Sequence, residues 1–200
     1  MKLLVLFATL GLAACQVKQE GNPDWADETK FGEYQNSWQS IQGDQASRYY
    51  LYQSTYNTDP IWGEEFYCVS VTGTVDQTAE KTVNAKILYK NKVHKELQTS
   101  EEKVTAIKTY GYTKQENGIM YLAKEGQTFN DTLVFSDDNC DIFYTGDKNF
   151  ELWVNEKKIK GVPSCCKFAF SYFARNFGKI HNIYTDDCYL APGSVAGESK

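Results

Sequence analysis

The stretch Thr128 to Asn155, TFNDTLVFSDDNCDIFYTGDKNFELWVN, decides the fold. It holds three short runs rich in β-branched and aromatic residues, near 128–135, 140–145 and 149–154. Two clusters of turn formers separate them, Asp137-Asp138-Asn139 and Gly146-Asp147. Short apolar runs with such breaks read as consecutive hairpins. The same rhythm extends towards the N-terminus, with runs near 47–55, 65–73, 82–90, 103–110 and 118–123. The breaks there are Asp59-Pro60, Gly73, Asn91-Lys92, Asn117-Gly118 and Glu125-Gly126. Eight strands on hairpin-length loops predict an eight-stranded antiparallel up-and-down barrel. Such a barrel has room inside for one small ligand or a little more.

Helices are expected on either side of the strands, which makes the class all-β with flanking helices. Phe31, Tyr34, Trp38 and Ile41 recur at helical spacing, and Asp24 or Asp27 is placed to cap that segment or a turn before it. Beyond Pro163, Cys166, Phe170, Phe173 and Phe177 share one helical face, expected to lie on the barrel wall. Residues 1–15 read as a signal peptide: Lys2, then an apolar run from Leu3 to Leu12, then small residues before a cut near Cys15. The run is too short to span a bilayer. Leu12-Ala13-Ala14-Cys15 also resembles a lipoprotein signal, a second reading. The barrel domain is expected over 16–190 and a disordered tail over 191–200, rich in Gly, Ser and charge.

The chain of 200 residues carries a net charge of −5 and no basic block, which argues against nucleic acid as a partner. It has 14 Tyr, 11 Phe and 4 Trp, a density suited to strands and to pocket walls. Neither His94 nor His181 sits in a metal or triad motif, and no nucleotide fingerprint or GxSxG is present. No acid pair stands out as a glycosidase couple. The sequence therefore predicts no enzyme, no metal and no cofactor. After signal removal five cysteines remain: Cys68, Cys140, Cys165, Cys166 and Cys188. An oxidising compartment pairs four, which leaves one of the Cys165-Cys166 doublet either buried and free or bridging to another molecule.

Strand side chains alternate between faces. In Phe129-Asn130-Asp131-Thr132-Leu133-Val134-Phe135, the odd positions place Asp131 among rings, and that face is expected inward. Asn130 then faces out, as the acceptor of an Asn130-Asp131-Thr132 glycosylation sequon. Asp141 shares a face with Phe143, and Glu151 with Trp153. Asp59 and Trp62 share one loop next to Tyr56. Buried carboxylates need a partner or take up a proton. Those strands supply few Lys or Arg, so a cationic ligand is the expected counter-charge, with the rings adding cation–π attraction. A lipid pocket would not want several inward acids. A barrel acting on a host protein through its outer surface is the reading from another class.

These residues also carry a family resemblance. Asp24-Trp25-Ala26, Tyr49-Tyr50, Asp59-Pro60-Ile61-Trp62-Gly63, Cys68-Val69-Ser70-Val71 and Glu102-Lys103-Val104-Thr105-Ala106 resemble the salivary histamine-binding lipocalins of ticks. So do Tyr110-Gly111-Tyr112, Phe135-Ser136-Asp137-Asp138-Asn139-Cys140-Asp141 and Glu151-Leu152-Trp153. They run in order over nearly the whole mature chain. Cys165-Cys166 and Asn182-Ile183-Tyr184-Thr185-Asp186 look most like the male-specific, dimer-forming branch. The G-x-W signature of ordinary lipocalins is not evident near the first strand. The resemblance implies a secreted lipocalin barrel with two internal amine sites. The tighter one maps to Tyr56, Asp59, Glu102, Tyr121 and Phe129, and the second to Ser40, Asp44, Asp141, Glu151 and Trp153. Trp62 and Asp131 serve one or the other. Ile119 stands where relatives can place Phe, which widens the pocket and opens it to a bulkier amine such as serotonin. The resemblance also implies the bridges Cys68–Cys188 and Cys140 to Cys165 or Cys166, and a disulfide-linked homodimer through the remaining one. Histamine, with serotonin as the rival, is the implied partner.

Overall fold

A computed structural model describes residues 21–122 and 126–188. The expected signal segment and tail, residues 1–15 and 191–200, lie outside the described residues. Eight antiparallel strands form the barrel: β1 (Tyr49–Ser54), β2 (Tyr67–Val75), β3 (Thr82–Lys90), β4 (Gln98–Ile107), β5 (Gly118–Leu122), β6 (Thr128–Ser136), β7 (Cys140–Tyr144) and β8 (Phe150–Asn155). Each pairs with the next in sequence, and β8 pairs back onto β1. Closure leaves no long unpaired edge. His181–Asn182 adds a two-residue strand beside Gln53 and Ser54 of β1.

Strand β4 starts five residues before the sequence expectation, at Gln98 rather than 103. It alternates strictly from Thr99 to Val104, exposed then buried. Its buried positions begin with Ser100 and Glu102, so a hydrophobicity reading finds no apolar face there. The alternation of β6 also departs from expectation. A bulge between Leu133 and Phe135 shifts the register against β7. Phe135 then pairs with Ile142 and packs in the cluster outside the barrel, while Ser136 and Asp141 pair on the inner side. An extra residue in a bulge reverses the facing of every side chain after it. Before the bulge the expectation holds: Asp131 is buried and Asn130 exposed.

The N-terminal helical segment is broken rather than continuous. Helix α1 (Glu28–Phe31), capped by Asp27, runs into a 3-10 turn over Gly32–Tyr34. Helix α2 (Ser37–Gly43) starts afresh under an Asn36 cap. Gln35 lies at the break, fully buried, and its Nε2 donates to the carbonyls of Trp25 and Val134. Tyr112 donates its hydroxyl to Gln35 Oε1. Satisfying that buried amide takes Gln35 out of the helical path.

Helix α3 (Ser164–Ala174) buries Cys166, Phe170 and Ala174 against the outer faces of β7 and β8. Phe173 and Phe177 pack on the same cluster, although Phe177 lies beyond the helix end. Cys68–Cys188 spans 120 residues and Cys140–Cys166 spans 26. The doublet is thereby resolved: Cys166 is buried and bridged, and Cys165 is free and exposed. The largest hydrophobic cluster thus lies between α3 and the barrel, which relieves the interior of the need to be wholly apolar.

Candidate functional site

The barrel interior holds a cavity of about 90 Å3. Every barrel strand contributes one side chain to it or several at two-residue spacing, and α2 covers one end. Ser40, Asp44, Tyr56, Asp59, Trp62 and Glu102 line it, as do Ile119, Tyr121, Asp131, Asp141, Glu151 and Trp153. Of the residues the sequence pointed to, Phe129 alone stands back from the cavity wall, stacked on Tyr121 at 5.4 Å between centroids.

Six carboxyl groups therefore share the interior, and no Lys or Arg lies on its wall among the described residues. They form two groups. Asp44 and Asp141 face each other under α2. Asp44 is the C-cap of α2, and it fits because Gly73 of β2 has no side chain; a Cβ there would lie 3.3 Å from the Asp44 Cβ. Asp141 accepts hydrogen bonds from Ser40 and Ser136. Burial pushes the Asp141 carboxyl up to about 7, and burial together with Asp141 holds that of Asp44 well above its usual range.

The second group holds Asp59, Glu102, Asp131 and Glu151. Asp59 sits in a short hairpin, Thr58–Asp59 against Gly63–Glu64. Its Oδ1 accepts the backbone N–H groups of Ile61 and Trp62, a local turn that aims the Trp62 indole inward. Gly63 closes the turn at φ +84°, where a Cβ would strike Asn91. Tyr56 donates its hydroxyl to Glu151, and Trp153 Nε1 donates to Glu151 Oε2 at 2.8 Å. Gly146 N donates to Asp131 Oδ1 at 3.0 Å, and Tyr121 hydrogen-bonds the same carboxyl. Burial pushes Glu102 up to about 8, helped by the charges of Asp59 and Glu151. Burial likewise raises Asp131, Glu151 and Asp59. Glu151 thus stands with Tyr56 and Asp59 rather than with Asp141, although the resemblance groups it with Asp141. Trp153 stands between, bonded to Glu151 and paired across the ladder with Asp141.

Three buried polar atoms on this wall have no hydrogen-bond partner: Glu102 Oε1, Asp141 Oδ1 and Trp62 Nε1. Such groups cost on the order of 1–3 kcal/mol each when left unmade. Two acceptors and one donor are therefore poised for something else. The rings of Trp62 and Trp153 stand edge to face at 6.3 Å, and Trp62 meets Phe66 at 5.1 Å.

Sequence reasoning missed two polar groups. Tyr49 lines the cavity near Asp141 and Asp44, and burial pushes its hydroxyl up to about 12. Ser136 reaches Asp141 because of the bulge, for which the sequence carries no signal. An open groove of about 730 Å3 lies on the outer wall, with Glu101 and Lys103 exposed along it. Its charges are mixed, and the interior acids Asp44 and Glu102 border it as well.

The profile of the tick histamine-binding proteins matches residues 25–189. A male-specific histamine-binding salivary protein of Rhipicephalus appendiculatus is 48% identical over 94% of this chain and 98% of its own length. A female-specific histamine-binding protein 1 of the same tick is 37% identical, with the same coverage. In fold, the crystal structure of AM182 in complex with serotonin superposes with a TM-score of 0.57 at 22% identity, over 77% of this chain and 92% of that one. With a profile match across the barrel and close relatives over nearly its full length, this chain belongs to the tick histamine-binding protein family.

Proposed function

We propose that the chain is a secreted salivary scavenger that sequesters histamine in the acidic, ring-lined cavity and acts as a binding protein, not an enzyme. The observation that carries this is the pair of buried, unpartnered carboxylate oxygens, Glu102 Oε1 and Asp141 Oδ1, in a cavity with no Lys or Arg on its wall among the described residues. A protonated amine supplies the missing charge, and the faces of Trp62, Trp153 and Tyr121 supply cation–π attraction. Histamine has eight heavy atoms. At a ceiling of about 1.5 kcal/mol per atom it reaches at most about 12 kcal/mol, near-nanomolar affinity. Approaching that limit requires a carboxylate at the ammonium, a second at the imidazole N–H, and rings over the rest. Tyr56, Asp59, Glu102, Tyr121 and Phe129 form one such set; Ser40, Asp44 and Asp141 form the other.

Serotonin is the second reading. Ile119 leaves aliphatic space where a ring would narrow the wall, and the free Trp62 N–H offers a donor to a ligand hydroxyl. The relatives are named for histamine and salivary origin, and the structural neighbour was solved with serotonin. The finer reading includes a disulfide-linked homodimer through exposed Cys165 and a glycan on Asn130, which faces out from β6. Calorimetric titration of each amine into the mature protein tests the function. Exothermic histamine binding with a stoichiometry of one to two is expected. Silence with both amines sinks the amine trap.

A further inference from the structure

The two acid groups lie apart on the wall of one continuous cavity. Val83, Ala85 and Ile87 mark its run along β3, a rise of about 14 Å at ordinary strand spacing. Ile41 of α2 packs with Val83 at one end, and Trp62 with Ile87 at the other. Each acid group contains one buried carboxylate oxygen without a partner, Asp141 Oδ1 and Glu102 Oε1. Across the β7–β8 ladder Asp141 faces Trp153 and Phe143 faces Glu151, so Asp141 and Glu151, one acid from each group, lie one pleat repeat apart, about 7 Å along the strands.

The wall between the two groups is largely apolar, with Asp131 paired across the ladder from Ile119. Val104, Ile119, Phe143 and Trp153 line it, and the one N–H among their side chains is already given to Glu151. Ile119 packs against both interior clusters and so stands at the waist. The cavity measures about 90 Å3. A ligand with a single ammonium satisfies one end and leaves the other oxygen bare.

We propose that this cavity also takes one linear aliphatic diamine of about four to six methylenes, with an ammonium at each acid group and the methylenes along Ile119, Phe143 and Trp153. The inference rests on the amine-trap reading above and deepens it: the cavity acts as one double-ended cation site. A diamine of this length has six to eight heavy atoms, no more than histamine. Each methylene buried along the waist is worth about fourfold in affinity, the equivalent of about 0.8 kcal/mol.

The test is competition calorimetry on the mature, disulfide-intact protein, with the series from 1,3-diaminopropane to 1,10-diaminodecane and n-pentylamine as the single-ended control. The expected result is one diamine per chain, full displacement of bound histamine, and an affinity optimum at four to six methylenes. The best diamine should bind at least a hundredfold more tightly than n-pentylamine. Ile119→Phe, which fills the waist, should lower the ratio of diamine to histamine affinity at least tenfold. If that variant fails to fold, the chain-length series on the unaltered protein decides alone. Histamine binding without competition from any diamine, or a flat series that n-pentylamine matches, overturns this inference and leaves the trap reading standing. Silence with every amine, histamine included, overturns both.

Discussion

On the proposed reading, Glu102 couples amine binding to stability. Its side chain is buried on the inner face of β4 and is pushed up to about 8 by burial and by the charges of Asp59 and Glu151. Without ligand it is therefore largely protonated below that pH, and an arriving ammonium must displace the proton. Glu102→Gln keeps the shape and removes the charge. Amine affinity should fall at least thirtyfold by calorimetry, since losing one partner of a buried charged pair costs on the order of 2–5 kcal/mol. The same variant should melt higher than the unaltered protein in the absence of ligand at pH 8, because no buried charge then forms. Asp59→Ala should also weaken binding while the circular dichroism spectrum stays that of the barrel; unchanged affinity would remove Asp59 from the site. The inward facing of Asp131, Asp141 and Glu151 was legible in the sequence, because each sits two residues from a ring on the same strand face. The facing of Phe135 and Ser136 was not, because a bulge obeys no composition rule.

Elements that serve the cavity are the ones whose sequence signal is weakest. The start of β4 reads as polar because its inward residues are Ser100 and Glu102. The break between α1 and α2 hides inside a regular apolar spacing, because it is set by the hydrogen bonds of buried Gln35 rather than by a Gly or Pro. By contrast α3 was legible, since its buried stripe only has to be apolar. It also settles the cysteine doublet, because neighbours on a helix point about 100° apart and only one can face the barrel. Reducing or replacing Cys140–Cys166 should cost about 3.5 kcal/mol by loop closure over 26 residues, read as a lower unfolding midpoint in denaturant. Exposed Phe168 and Tyr172 lie three and seven residues beyond Cys165, on its side of the helix. Cys165→Ser should abolish any covalent dimer on a non-reducing gel while leaving histamine affinity unchanged. A persistent covalent dimer in that variant would place the link elsewhere.

The whole molecule separates stability from binding by position. Its largest apolar cluster lies outside the barrel under α3, and its interior carries six carboxyl groups with no Lys or Arg on the cavity wall among the described residues. The raised carboxyls fix the sign of the pH dependence. In the unfolded chain these acids ionise near the ordinary 3.8–4.5, whereas in the fold Asp141 and Glu102 hold their protons to about 7 and about 8. Between those limits the native state binds more protons than the unfolded one, so stability without ligand falls as pH rises. The melting temperature of the unliganded protein should therefore drop steadily from pH 5 to pH 8.5. Saturating histamine should reverse most of that drop, since it binds the ionised native form and adds RT ln(1 + [L]/Kd). Affinity should move the opposite way, falling about tenfold per pH unit below 7 for each proton that binding displaces. Calorimetry of histamine in buffers of different ionisation enthalpy reads that proton count directly. A count near zero at pH 6, with a melting temperature flat from pH 5 to 8.5, would mean that the interior acids are ionised before the amine arrives. The barrel would then have to tolerate several unpaired charges in a dry core, against their expected cost of several kcal/mol each.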